Sequence, residues 1–145
     1  MYKGILHLHS YLPYLLFVGL IVSSLVFLVK LAGNKEFKPL DKTLALITLI
    51  LAHLQFVAGL ILYFISPVAQ AARNAEDMMA DPTHRLYAVE HITVMIIAVV
   101  LITIGYSRAK RQDSAKGKFK NLGLFYLLGL LVALSRIPWD AWLAS

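Results

Sequence analysis

The side chains best suited to chemistry in this chain are its five histidines, at positions 7, 9, 53, 84 and 91. There is no cysteine, which excludes disulfides, thiolate metal sites, iron–sulfur clusters and thioether-linked haem. Any metal or cofactor must be held by His, Met, Tyr or carboxylate. Neutral imidazole is a good ligand for iron, copper and zinc. Hydrolytic chemistry has no footing. HExxH, GxSxG and phosphate-binding Gly loops are all missing, and Ser10 and His9, as neighbours on a helix, point about 100° apart.

The elements that position these histidines follow from composition. Of 145 residues, 59% are hydrophobic and 15% charged, against about 25% charged in soluble domains. There are too few polar side chains to cover a soluble surface, so a water-soluble enzyme, a disordered regulator or a nucleic-acid binder is excluded and the chain belongs in a bilayer. A spanning helix needs about 20 apolar residues, and four runs bounded by charge meet this. They predict helices at 4–31, 42–66, 83–107 and 120–141, an all-α four-helix bundle running up-down-up-down in one transmembrane domain. The first run is too long, and lacks the small-residue cleavage site, to be a signal peptide.

Orientation follows from Lys and Arg. Lys30, Lys35, Lys38, Lys42, Arg108, Lys110, Arg111, Lys116, Lys118 and Lys120 fall in two connectors on one side, leaving Lys3, Arg73, Arg85 and Arg136 on the other. Both termini are expected on the outer, periplasmic side of a bacterial inner membrane. The formal charge of +6 is thus mainly a topology signal, with anionic lipid headgroups as its natural partners. Gly19, Ser23, Ala52, Gln55, Gly59, Gly129 and Ala133 read as helix-packing residues. Asp81-Pro82 reads as a helix start. Pro13 leaves the carbonyl of His9 without its helical partner. The connector 66–83 either rests on the membrane surface through Met78 and Met79 or covers the bundle mouth.

Ionisable groups inside a span are costly and mark candidate sites. Here they are His9, His53, Glu90, His91 and Arg136. Depths counted at about 1.5 Å per residue put His9 roughly 8 Å, His91 roughly 12 Å and His53 roughly 20 Å below the outer surface. A haem clasped by two imidazoles needs ligands at similar depth on facing helices. Two pairings satisfy this, His53 with His91 and His9 with His91, of which the first is preferred. A second haem would need His7 or His84, both otherwise read as solvated. His84, Tyr87 or Ala88, His91 and Met95 share one face of the third helix, with Met95 read as packing. Tyr87 or Glu90 is placed to orient a ligand imidazole. Arg136 meets either a haem propionate or Glu90 in an ion pair. Gln55 is read as helix glue, and Trp139 and Trp142 as an interfacial belt.

Leu8-His9-Ser10, Ala52-His53-Leu54-Gln55 with Gly59 and Leu62-Tyr63, Glu90-His91 and Ile137-Pro138-Trp139 together resemble the small bacterial four-helix membrane proteins labelled cytochrome b. The resemblance covers nearly the whole chain. It implies a non-covalent haem b, one or two per chain, and membrane electron transfer with quinol or a respiratory complex as partner, with His9, His53 and His91 as candidate ligands and a homodimer allowed. Such proteins often carry a histidine in the basic run before the last helix, where this chain has Phe119, which speaks against a haem on the basic side. Two other classes compete: a copper, zinc or iron transporter or assembly factor using the same histidines, and a non-catalytic accessory subunit of a respiratory complex.

Overall fold

Apolar runs bounded by charge become helices because in hydrocarbon only a helix satisfies every backbone group within its own segment. The computed structural model describes residues 1–144. Its four long helices are α1 (Tyr2–Ala32), α2 (Pro39–Ile65), α4 (Pro82–Lys110) and α5 (Ala115–Leu134), each long and apolar enough to cross a membrane. Between them lies a short α3 (Pro67–Asn74), and a one-turn α6 (Trp139–Leu143) follows α5. Among the described residues there is no strand.

Local chemistry sets the helix boundaries. Pro39 opens α2, and the buried Asp41 carboxylate accepts the Lys38 N–H at 2.8 Å and the Lys30 ammonium at 2.7 Å. One carboxylate thereby caps α2 and ties it to the end of α1. Asp81 caps α4, its Oδ1 accepting the N–H groups of Thr83 at 2.8 Å and His84 at 2.9 Å. The fourth span departs from expectation at both ends. It starts at residue 115 rather than 120, because the Ser114 hydroxyl accepts the Gly117 N–H at 3.0 Å and lets the helix begin within the basic run. It stops at Leu134 rather than 141. Pro138 cannot donate a helical bond and disfavours helix at the residue before it, so Arg136 lies in the bend after α5 and not inside a span.

The connector after α2 is ordered by its own polar groups. Ser66 caps α3, and Arg73 donates to the Tyr63 carbonyl while its guanidinium lies 4.4 Å from the Tyr63 ring centroid.

Helix α1 packs against α2 and α5, and α4 packs against the same two, so α1 and α4 face each other across the diagonal of the bundle. Small residues permit this approach. A Cβ on Gly19 would meet Thr48, one on Gly123 would meet Leu28, and one on Gly129 would meet Ile102. Ser23 and Thr48 share a buried hydroxyl contact of 3.0 Å. The half of the bundle next to the basic connectors is filled by Phe27, Phe119, Tyr126, Leu20 and Leu122, all essentially inaccessible. The Tyr126 hydroxyl donates to the Ala45 carbonyl at 2.7 Å, locking α5 to α2. Phe119 packs on Phe27 and Phe37 and is part of the core.

Two outcomes are expected. Asp41→Ala removes the carboxylate that holds the Lys38 N–H at the start of α2 and strands Lys30, which is 28% exposed against 4% for Asp41. Water reaches the lysine, so the loss is about 2 kcal/mol rather than the full cost of a buried charge, measurable by unfolding in detergent. The amide hydrogen bond from His84, chiefly, holds the Asp81 carboxyl below its ordinary range. A depressed folded value means the cap stabilises α4 above the unfolded pKa of about 3.9 and is lost as pH falls through the folded one. Protection of the Thr83 and His84 amides against exchange should drop over that interval and not at higher pH.

Candidate functional site

Pro13 begins the site. Its missing N–H frees the carbonyl of His9 four residues earlier, and in hydrocarbon such a group must find another donor. Gln55 of α2 supplies it, donating from Nε2 to the His9 carbonyl at 3.0 Å. The same Nε2 also donates to His9 Nδ1 at 3.0 Å. One amide thus holds both the backbone and the ring of His9, and because Nδ1 is the acceptor, the ring proton sits on Nε2. Gly59, one turn along α2, is the floor beneath the ring: a Cβ there would lie 2.7 Å from His9 Cε1.

Across the diagonal, the start of α4 contains a π-helical turn, Leu86–Glu90, in which the His91 N–H bonds the Leu86 carbonyl five residues back. Such bulges are frequent at functional sites. The Ala88 carbonyl in this turn accepts the Tyr63 hydroxyl at 2.9 Å. His91 Nδ1 donates to the Arg136 carbonyl at 2.8 Å, which leaves Nε2 as its lone-pair nitrogen, the arrangement usual for a ligating histidine. The two rings meet with centroids 6.2 Å apart and planes at 89°.

Charged groups stand beside the pair. Glu90 Oε1 accepts Arg85 Nε at 2.7 Å, and Glu90 Oε2 lies 3.2 Å from Arg136 Nε. Two guanidiniums on one carboxylate leave a net positive charge beside His91. The Trp142 indole N–H reaches the Ser10 carbonyl at 2.7 Å and stacks near Tyr14 and Phe17, so α6 folds back onto α1 next to His9.

Of the residues singled out in the sequence, the structure brings together His9, His91, Glu90 and Arg136. It does not bring His53 to them. His53 is exposed on the flank of the bundle, its Nδ1 donating to the Leu49 carbonyl at 2.8 Å and its Nε2 lying 3.3 Å from Thr103 Oγ1. Thr103 is twelve residues beyond His91 on α4, about 18 Å along the axis, so the preferred pairing of His53 with His91 on one iron is not formed. His84 also leaves the expected stripe. The π turn shifts the register between 84 and 91, and His84 instead contacts Asp77 at 2.7 Å in the connector. His7 stacks loosely with Tyr11, ring centroids 6.2 Å apart.

Neither Tyr87 nor Glu90 orients an imidazole. Tyr87 is half-buried in the π turn, Glu90 is engaged by two arginines, and the orienting groups are the Arg136 carbonyl and the Gln55 amide. Gln55 was legible as polar glue, but its role follows only from combining it with Pro13. Gly59 was legible as a packing residue but not as the floor beneath His9, and Arg85 and the π turn carried no distinguishing local signal.

Two imidazoles sharing one metal at about 2 Å each have centroids roughly 6 Å apart, so the spacing fits such a donor pair. Gln55 Oε1 is buried without a donor. Turning the amide over would bring this oxygen to His9 Nδ1 and move the ring proton there, which frees Nε2 for a metal. Protein-family models, curated proteins and solved structures contain no match to this chain.

The Pro13–Gln55 linkage is testable without any ligand. Gln55→Leu strands the His9 carbonyl and should cost about 1–3 kcal/mol in detergent unfolding. Adding Pro13→Ala restores a helical N–H to that carbonyl. The double variant should therefore be more stable than the sum of the single effects by at least 0.5 kcal/mol or so; strict additivity would refute the linkage.

Proposed function

We propose that this chain is a membrane haem b cytochrome that takes part in electron transfer, with His9 and His91 as the imidazoles that would hold one haem. The observation that carries this reading is the perpendicular imidazole pair, 6.2 Å between centroids, on diagonally opposed helices. Ala58, Ala88 and Ala133 are buried in this half together with Leu16, Leu62 and Leu130, while Phe27, Phe119 and Tyr126 fill the opposite half. With the basic connectors on the cytoplasmic side, the bundle runs up-down-up-down with both termini outward, in a bacterial inner membrane, and the histidine pair lies in its outer half.

When bound, the haem supplies the one-electron chemistry. The chain's own residues hold and tune it. Arg136 contributes twice, fixing the His91 tautomer through its carbonyl and adding positive charge through its guanidinium. That charge, shared with Arg85 against Glu90, suits carboxylates such as haem propionates. Gln55 governs where the His9 proton sits. His53, far along the axis, has no part in this ligation. Electrons would pass between quinol or a respiratory membrane partner and an acceptor on the outer side.

Oxidised and reduced absorption spectra of detergent-solubilised protein test the proposal. His9→Ala and His91→Ala should each abolish the six-coordinate haem spectrum, while His53→Ala retains it. A full spectrum in His91→Ala would remove the assignment. A colourless preparation holding stoichiometric copper or zinc would replace it with metal handling by the same pair.

A further inference from the structure

At the opposite end the turn between α4 and α5 forms a cleft of about 380 Å³ lined by Arg108, Gln112, Ser114, Lys116, Lys120 and Asn121, along with Gly117. Three cations converge there and no carboxylate lines it. Among the described residues none of the three forms an ion pair. Lys30, by contrast, is neutralised by Asp41. The nearest acid in sequence, Asp113, is exposed and outside the cleft lining.

Arg108 is held in place before any ligand arrives. Its Nε donates to Asn121 Oδ1 at 3.0 Å and its guanidinium lies 5.7 Å from the Phe125 ring centroid. Asn121 is itself fixed by donating to the Gly117 carbonyl at 2.8 Å. Like charges gathered without a counter-charge repel one another, so a bound anion is favoured at this point. Guanidinium and ammonium groups together suit phosphate oxygens.

What lies below the cleft selects the source of that phosphate. On α5 the face that carries Lys120 and Asn121 continues at helical spacing through Leu124, Leu128 and Leu131, all exposed. On α4 the face of Arg108 continues through Ile104, Val100 and Ile97, also exposed. Two apolar columns therefore descend from one cationic cleft, matching a molecule with an anionic head and hydrocarbon tails. A free phosphate would use the cleft and leave the columns irrelevant.

We propose that this cleft is a specific site for an anionic phospholipid, the headgroup phosphate held by Arg108, Lys116 and Lys120 and the acyl chains lying along the α4 and α5 columns. The inference needs only the membrane-spanning helices and is independent of the haem reading.

Native mass spectrometry of the full chain in detergent, titrated with phosphatidylglycerol or phosphatidylcholine, tests it. Phosphatidylglycerol should be retained at least tenfold more strongly. The variant Arg108→Gln/Lys120→Gln should lose most of that preference, whereas Lys35→Gln/Arg111→Gln, equal in charge removed but outside the cleft, should keep it. Equal losses in both variants would mean diffuse attraction and overturn the site. Millimolar inorganic phosphate should not displace the lipid; full displacement would assign the cleft to free phosphate instead. Should the double variant not fold, Arg108→Gln and Lys120→Gln are read singly, each expected to weaken the preference severalfold.

Discussion

A polar group sunk in hydrocarbon has no water to fall back on, and the site half of this bundle is organised by that constraint. A proline in α1 would be a defect in lipid if nothing met the carbonyl it frees. Gln55 meets it and, with its second amide hydrogen, also grips the ring of the same residue. The position of His9 is therefore a by-product of repairing the backbone. His91 is set in a parallel way, since the break after α5 leaves the Arg136 carbonyl outside a helix and free to accept from Nδ1. Two interruptions of regular helix, one by Pro13 and one ahead of Pro138, create the two anchor points from which the imidazoles meet.

The two halves of the bundle divide the work. Near the basic connectors, Phe27, Phe119 and Tyr126 fill the interior and the Tyr126 hydroxyl ties α5 to α2. That end is closely packed, with close glycine contacts at Gly105 and Gly123. Towards the histidine end Leu16, Leu62 and Leu130 are buried beside Ala58, Ala88 and Ala133, and the rings of Tyr14, Phe17 and Trp142 cluster next to the polar contacts of His9 and His91. Helices held firmly at one end can present side chains at the other with little drift, which is what a preorganised ligand pair requires.

The four spans were legible because hydropathy and charge act over twenty residues at a time, and errors of a few residues do not change them. The ends were less so. Ser114 extends α5 into a stretch whose lysines read as connector, and Pro138 ends it early although the residues around it are apolar enough to continue. The histidines could be identified as candidates, but depth counted along ideal helices misjudged their pairing. One inserted residue in the π turn at Leu86–Glu90 rotates everything after it relative to everything before it, and separates His84 from His91. Pro13 and Gln55 are each visible in the sequence. Their joint effect depends on which rung of α2 lies opposite His9, and helical periodicity alone does not set that register.

The tautomers of the pair carry a further consequence. His9 accepts at Nδ1 and His91 donates from Nδ1, so the rings present opposite Nε2 atoms, one with a proton and one with a lone pair. For both Nε2 atoms to serve as donors the proton of His9 would have to leave its Nε2, and the Gln55 amide, whose Oε1 is buried without a donor, is placed to receive Nδ1–H. Turning it satisfies the ring but gives up the bond to the His9 carbonyl. The strength of His9 as a ligand is thus set against the satisfaction of its own backbone. In a bilayer both terms are of similar size, about 1–3 kcal/mol. Of the two candidate ligands, His91 has its orientation already secured, and His9 is the one whose affinity the surrounding helices can adjust.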